Sequence, residues 1–124
     1  MKTIKEIYRI GHGPSSSHTM APRFASEQFL ARHPEAVRFE VTLYGSLALT
    51  GKGHLTDVAI LDVFENKADV VISWQPDVFL PYHPNGMTFK SYNSEDVLTE
   101  EWTVYSVGGG ALEEEGKPAI LPDI

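Results

Sequence analysis

The chain has 124 residues, no cysteine and a formal net charge of −7 at neutral pH. This length fits one compact domain, and the missing thiols exclude disulfides, thiol catalysis and any iron–sulfur cluster held by this chain alone. The acidic balance argues against nucleic acid or an anionic membrane as a partner, since either needs a basic face. No apolar run approaches the about 20 residues of a membrane span, and the N-terminus lacks the apolar stretch of a signal peptide. The expected location is the cytoplasm.

Three helices are predicted from capping signals and helical periodicity. The capping-box spacing of Thr3–Glu6 predicts a short helix over about 4–10. A second helix is predicted over 20–32 and ends at His33-Pro34, because the residue before proline resists the α region. Apolar residues among polar ones predict a third helix over 56–65.

Four strands are predicted. Apolar and polar residues alternate along 37–44, which is typical of a half-buried strand. Three further strands are expected over 69–74, 87–92 and 102–107, and the last two are joined by a polar segment suited to a hairpin. The glycine-punctuated segment between the first strand and the third helix is expected to be a loop. Helices early and strands late predict an α+β fold with a mostly antiparallel sheet of about four strands and about three helices.

The end of the chain differs in composition from the rest. Three consecutive glutamates at 113–115 are followed by glycine, lysine and two prolines, a pattern typical of a linker. We therefore expect a domain over 1–112 and a linker over 113–124 that leads toward a further domain or belongs to a subunit.

Four loops combine glycine with small polar residues: 13–19, 51–57, 83–87 and 106–110. Glycines allow backbone N–H groups to approach an anionic ligand closely, and loops carry function more often than cores do.

The segment 13–19 has two interpretations. Serine and threonine are the preferred N-cap residues, so the segment could serve only to begin a helix. Alternatively, its hydroxyl and N–H groups bind a carboxylate at the positive end of the helix dipole, with His18 beside that anion. Both interpretations are compatible.

The other loops carry weaker signals when each is taken alone. The segment 51–54 lacks the spacing and the hydroxyl of a phosphate-binding loop. His54 and Asp57 are placed to share a helix face, either as a surface pair or as two metal ligands without a third. The turn residues after His83 have a structural explanation, and the glycines at 108–110 suit a bend or a close approach.

Taken together, the segments form an ordered pattern. In chain order they are Gly13-Pro14-Ser15-Ser16-Ser17-His18-Thr19, Leu43-Tyr44-Gly45-Ser46, Thr50-Gly51-Lys52-Gly53-His54-Leu55-Thr56-Asp57, His83-Pro84-Asn85-Gly86-Met87 and Tyr105-Ser106-Val107-Gly108-Gly109-Gly110. This pattern resembles the β domain, or β subunit, of the bacterial iron–sulfur L-serine dehydratases. The resemblance spans roughly residues 4–112.

The resemblance implies an enzyme that converts L-serine to pyruvate and ammonia. A four-iron–four-sulfur cluster would be held by the cysteines of a separate α domain or subunit, and this chain alone would bind none. The resemblance also implies a fold similar to the allosteric substrate-binding domain of some phosphoglycerate dehydrogenases.

Site residues follow from the same motifs. The implied catalytic residues are His18, His54 and His83, with the general-base role open between His54 and His83. The implied substrate-binding residues are Ser15, Ser16, Ser17, Thr19, Lys52, Asn85, Gly108 and Gly109. His12 and His33 are expected to be structural or surface residues, and no metal ligand is expected in this chain.

Two departures and two alternatives accompany this interpretation. Ala21 stands where the family commonly has glycine, and the segment from Glu65 to His83 is short beside many members. A non-catalytic module that senses serine or another hydroxy acid, or an assembly domain, would also suit the loops. Self-association into a homo-oligomer through a sheet edge stays open.

Overall fold

A computed structural model of the protein describes residues 19–51, 56–108 and 110–121. In these ranges the chain forms helices α1 (Ala21–Arg32), α2 (Gly45–Gly51) and α3 (Thr56–Phe64). It also forms strands β1 (Arg38–Tyr44), β2 (Asp69–Gln75), β3 (Gly86–Tyr92), β4 (Leu98–Ser106) and β5 (Leu112–Glu113). Within the same ranges, no helix has the length and apolarity needed to cross a membrane.

The strands form one mixed sheet in the order β2-β1-β3-β4-β5. β1 and β2 are parallel, and the crossover between them contains α2 and α3. The remaining pairings are antiparallel, and β3 and β4 form the predicted hairpin. The α+β class is therefore confirmed. The sheet differs from the prediction in having five strands rather than about four and in containing a parallel pair.

One face of the sheet packs against the helices. Along β1, the fully buried Phe39, Val41 and Leu43 alternate with partly exposed polar residues, as the sequence period predicts. On this face the ring of Phe29 from α1 stacks on Trp102 of β4, with centroids 5.9 Å apart and planes 7° from parallel. The opposite face of β1 carries the partly exposed Arg38, Glu40, Thr42 and Tyr44.

The end of α1 is fixed to the start of β4. His33 is mostly buried, and its Nε2 lies 2.5 Å from an oxygen of Glu100. Its ring also packs on Phe29, with centroids 4.8 Å apart. His33 thus has the structural role expected of it, whereas His12 lies outside the described ranges.

Two differences from the predicted elements have physical reasons. The segment 45–51 is helix α2, not the expected loop. Its seven residues are too few for a clear helical period, and glycines at both ends suggested a break. The predicted helix over 4–10 lies outside the described ranges, and α1 and α3 agree with their predictions to within one residue at each end.

The segment after Gly110 folds back on the sheet. The N–H of Leu112 donates to the carbonyl of Ile120 over 2.8 Å, and the N–H of Ile120 donates back. The indole N–H of Trp102 donates to the carboxylate of Glu114 over 2.5 Å. The division of the chain at 112 stays a prediction, but the residues up to Ile120 contact the domain more closely than a linker composition indicates.

Candidate functional site

The site begins where β1 ends and α2 starts. Gly45 has a φ of 49°, in the left-handed region that favours glycine. A Cβ atom at this position would lie 2.8 Å from the carbonyl oxygen of Pro84 and 2.8 Å from Cδ2 of Phe79. Gly45 is therefore required both by the backbone turn and by the close approach of the loop that carries His83.

Main-chain hydrogen bonds hold that loop on both sides. The N–H of Ser46 donates to the carbonyl of Pro84 over 3.1 Å, and the N–H of Ser106 donates to the carbonyl of Asn85 over 2.9 Å. The side-chain amide of Asn85 donates to the carbonyl of Ser106 over 3.4 Å. The loop thus joins the end of β1 to the end of β4.

His83 is oriented from within the same loop. Its Nδ1 accepts a hydrogen bond from the backbone N–H of Asn85 over 3.1 Å. A ring nitrogen that accepts carries no proton, so the neutral imidazole carries its proton on Nε2. The ring is partly exposed, and its centroid lies 6.3 Å from that of Tyr105. His83 therefore presents an N–H donor beside an aromatic wall.

Tyr105 forms that wall and is 4% exposed. It pairs with Gly86 across β3 and β4, and a Cβ atom on Gly86 would lie 3.3 Å from its ring and 3.0 Å from Leu80. The absence of a side chain at Gly86 therefore makes room for both groups. Burial raises the pKa of the Tyr105 hydroxyl, and the negative charge of Glu115 raises it further.

A second tyrosine extends the wall toward β5. The rings of Tyr82 and Tyr105 lie 4.9 Å apart, and the hydroxyl of Tyr82 donates to Glu113 over 2.6 Å. This hydrogen bond is the main cause of the raised pKa of Tyr82, since ionisation would place two negative charges together. At neutral pH the wall therefore presents neutral phenols.

Helices α1 and α3 both begin at this end of the sheet. Arg32, at the end of α1, pairs with Glu100 near the start of β4, so α1 begins toward the opposite end of that strand. Phe64, at the end of α3, contacts Phe39 near the start of β1, so α3 begins toward the end of β1. The N-termini of helices attract anions such as carboxylates. The described Thr19 and Thr56 border these two N-termini.

The described residues include only part of the predicted site. His83 and Asn85 lie together. Asn85 is hydrogen-bonded to Ser106, and Gly108 lies two residues after Ser106. Thr19 lies two residues before the first residue of α1, at the same end of the sheet. The predicted His18, His54, Ser15, Ser16, Ser17, Lys52 and Gly109 lie outside the described ranges.

Two contributors were missed by sequence reasoning. Ser46, with its backbone N–H, and Tyr105, with its buried ring, lie within the motifs of the family resemblance, but those motifs do not predict them as site residues. A backbone donor leaves no signal in residue identity. For Tyr105 there was a signal, because glycines follow this aromatic residue within four positions. In the described parts of the chain, no group of three histidine or carboxylate side chains could hold a metal ion.

The fold and the site define a small α+β domain that presents an oriented imidazole and helix N-termini at one end of its sheet. The sequence model of the family described as serine dehydratase beta chain matches residues 3–69 and 62–117. The chain therefore belongs to the serine dehydratase beta chain family.

Curated relatives agree with this assignment. The chain is 33% identical to an L-serine dehydratase of Helicobacter pylori (strain ATCC 700392 / 26695) over 98% of its own length and 37% of that protein. It is 32% identical to L-serine dehydratase 1 of Escherichia coli (strain K12), over 93% of the chain and 34% of that protein. The chain thus spans about a third of the length of these relatives. The first alignment runs over 171 positions, so the relative carries segments that this chain lacks.

Proposed function

We propose that this chain is the β part of an L-serine dehydratase, which converts L-serine to pyruvate and ammonia in the cytoplasm. The observation that carries the proposal is the hydrogen-bonded assembly of the His83 loop between the ends of β1 and β4. It joins three motifs that are far apart in the sequence. Family membership supports L-serine as the substrate.

The remaining part of the enzyme would be an α domain or subunit. A four-iron–four-sulfur cluster needs thiolate ligands, and this chain has no cysteine. The described residues likewise offer no group that fits a metal ion. The residues of this chain therefore do not fit the cluster, and we assign the cluster to the α part.

His83 would act as a hydrogen-bond donor. With Nδ1 occupied by the N–H of Asn85, the neutral ring has only its Nε2–H to offer a substrate oxygen. To accept a proton at Nε2, the neutral ring would have to carry its own proton on Nδ1. That proton would then face the N–H of Asn85, and the hydrogen bond between them would be lost. We therefore favour His54 over His83 as the base that removes the α-proton, with His83 and His18 as donors to the substrate.

The substrate carboxylate would lie at the start of α1. Its ligands would be Ser15, Ser16, Ser17 and Thr19, helped by the positive end of the helix dipole and by Lys52, with the backbone at Gly108 and Gly109 as a further contact. Asn85, which was predicted to bind substrate, uses its backbone N–H on His83 and its carbonyl and side-chain amide on Ser106 of β4. We assign Asn85 a positioning role.

The test is turnover of L-serine by the enzyme assembled with its α part. We expect His83→Ala to lower kcat by about 100-fold or more, the range for loss of one hydrogen-bond donor to developing negative charge. His83→Gln should recover part of this loss, because its amide can still donate a hydrogen bond.

His33→Gln serves as the control, since His33 lies at the other end of the sheet beside Glu100. It should turn over like the unaltered enzyme. Unchanged turnover in His83→Ala, with normal assembly, would contradict the catalytic role and would favour a module that only senses serine.

A further inference from the structure

Strand β5 is bonded to the loop that carries His83. Tyr82 immediately precedes His83 in the chain, and its hydroxyl donates to the carboxylate of Glu113 over 2.6 Å. Glu113 lies in β5, where it pairs with Tyr105 of β4. The rings of Tyr82 and Tyr105 are 4.9 Å apart, with their planes at 47° to each other. A hydrogen bond, a strand pairing and a ring contact therefore connect these three residues to one another, beside His83.

His83 is held on both of its sides in the chain. After it, main-chain hydrogen bonds hold residues 84–85 against the ends of β1 and β4. Before it, the side chain of Tyr82 is held by Glu113. The His83 ring lies near a member of the same set, with its centroid 6.3 Å from that of Tyr105. Because a planar peptide group joins Tyr82 to His83, a shift of Tyr82 changes the direction of the imidazole.

The hydrogen bond between Tyr82 and Glu113 is present at neutral pH. It is the first cause of the raised pKa of the Tyr82 hydroxyl, and partial desolvation raises that pKa further. The phenol therefore keeps its proton and stays a donor at the pH of a turnover assay. A hydrogen bond from a hydroxyl to a carboxylate is also shorter and stronger than one between two neutral groups.

We propose that Tyr82 and Glu113 are positioning residues for His83. The hydrogen bond between their side chains holds the loop where the imidazole of His83 presents its Nε2–H. The expected effect on turnover rests on the proposed function, because it requires the role proposed for His83, whereas the effect on the imidazole itself does not. The inference also brings Glu113, the first residue of the predicted linker, into the candidate site.

The donor is tested by comparing Tyr82→Phe with Tyr92→Phe. Both variants remove a phenol that donates to a glutamate, since Tyr92 donates to Glu40 over 3.1 Å. Tyr92 pairs with Leu98 at the start of β4 and so lies at the other end of the sheet. In the enzyme assembled with its α part, Tyr82→Phe should lower kcat for L-serine by about 2-fold to 10-fold, the range for the net contribution of one hydrogen bond. Tyr92→Phe should turn over like the unaltered enzyme.

The acceptor is tested with Glu113→Gln and Glu113→Ala in the same assay. The side-chain amide oxygen of glutamine can still accept from the Tyr82 hydroxyl, so Glu113→Gln should keep most of the turnover. Glu113→Ala leaves no acceptor and should match Tyr82→Phe. Equal turnover in the two Glu113 variants would contradict a role for this hydrogen bond.

A measurement on His83 itself separates this inference from the proposed function. The chain has five histidines, so NMR spectra of the 124-residue chain identify the ring protons of His83 by their absence in His83→Gln. These resonances should move in Tyr82→Phe and in Glu113→Ala, which leaves the chain neighbours of His83 unaltered, and should stay in place in Tyr92→Phe. Unchanged His83 resonances in Glu113→Ala would overturn the inference, whatever the turnover. Shifted resonances with unchanged turnover would support the positioning of His83 and contradict its proposed role in the reaction.

Discussion

Gly45 shows how a single residue controls the candidate site. It allows the backbone to turn from β1 into α2, and it leaves space in which the carbonyl of Pro84 reaches the N–H of Ser46. Any side chain at this position would oppose both effects. The placement of His83 therefore depends on a residue outside its own loop.

We expect Gly45→Ala to reduce the free energy of unfolding by more than the about 1–2 kcal/mol that a left-handed residue costs on conformation alone. The excess comes from the Cβ atom, which would lie 2.8 Å from the carbonyl oxygen of Pro84. Urea denaturation followed by circular dichroism measures the change.

Gly116→Ala provides the control for that prediction. Gly116 has a φ of 80°, and a Cβ atom there would meet nothing within 4 Å. It should show the conformational cost without the steric one. Equal losses in the two variants would mean that the approach of Pro84 does not constrain Gly45.

At the level of elements, the sequence predicted those with a clear period. The alternation along β1 and the helical spacing in α1 and α3 were sufficient, because each buries one face against the sheet or the helices. Helix α2 was missed because it is short and bounded by glycines. Strand β5 was missed because two residues have no period, and its pairing with β4 depends on a strand register that no local pattern contains.

In the candidate site, too, some features were predictable from the sequence and others were not. The turn chemistry of His83-Pro84-Asn85-Gly86 was evident from residue types. The acceptor state of Nδ1 was not, because it depends on the direction of one backbone N–H. The contact of this loop with Ser46 and Ser106 likewise depends on strand register, which no local pattern contains.

The segment after β5 gives a prediction at this scale. Ile120 is partly buried against the core and pairs with Leu112, whereas its neighbour Leu121 is 70% exposed. We expect Ile120→Ala to cost about 2 kcal/mol of unfolding free energy, near the lower end for a buried isoleucine. Leu121→Ala should stay within about 0.5 kcal/mol. Equal effects in thermal or urea unfolding would show that the segment does not stabilise the domain.

At the scale of the whole molecule, the chain corresponds to about a third of its relatives' length. The match to the family model extends over nearly all of the chain.

We expect the isolated chain to be colourless, to bind no iron and to show no L-serine dehydratase activity, because it has no cysteine to hold a cluster. Addition of the α part should produce turnover. Iron analysis, visible absorbance and pyruvate formation measure these outcomes. Cluster absorbance or pyruvate formation by the chain alone would contradict the assignment of the cluster to the α part.

The bonds that anchor the His83 loop have a consequence for how this surface can diverge. The donors at Ser46 and Ser106 and the acceptors at Pro84 and Asn85 are all peptide groups. Every residue type except proline can supply such a donor, and every type can supply the acceptor. These main-chain bonds can therefore persist while the side chains at Ser46 and Ser106 change over evolutionary time, whereas the amide bond of Asn85 needs its own side chain.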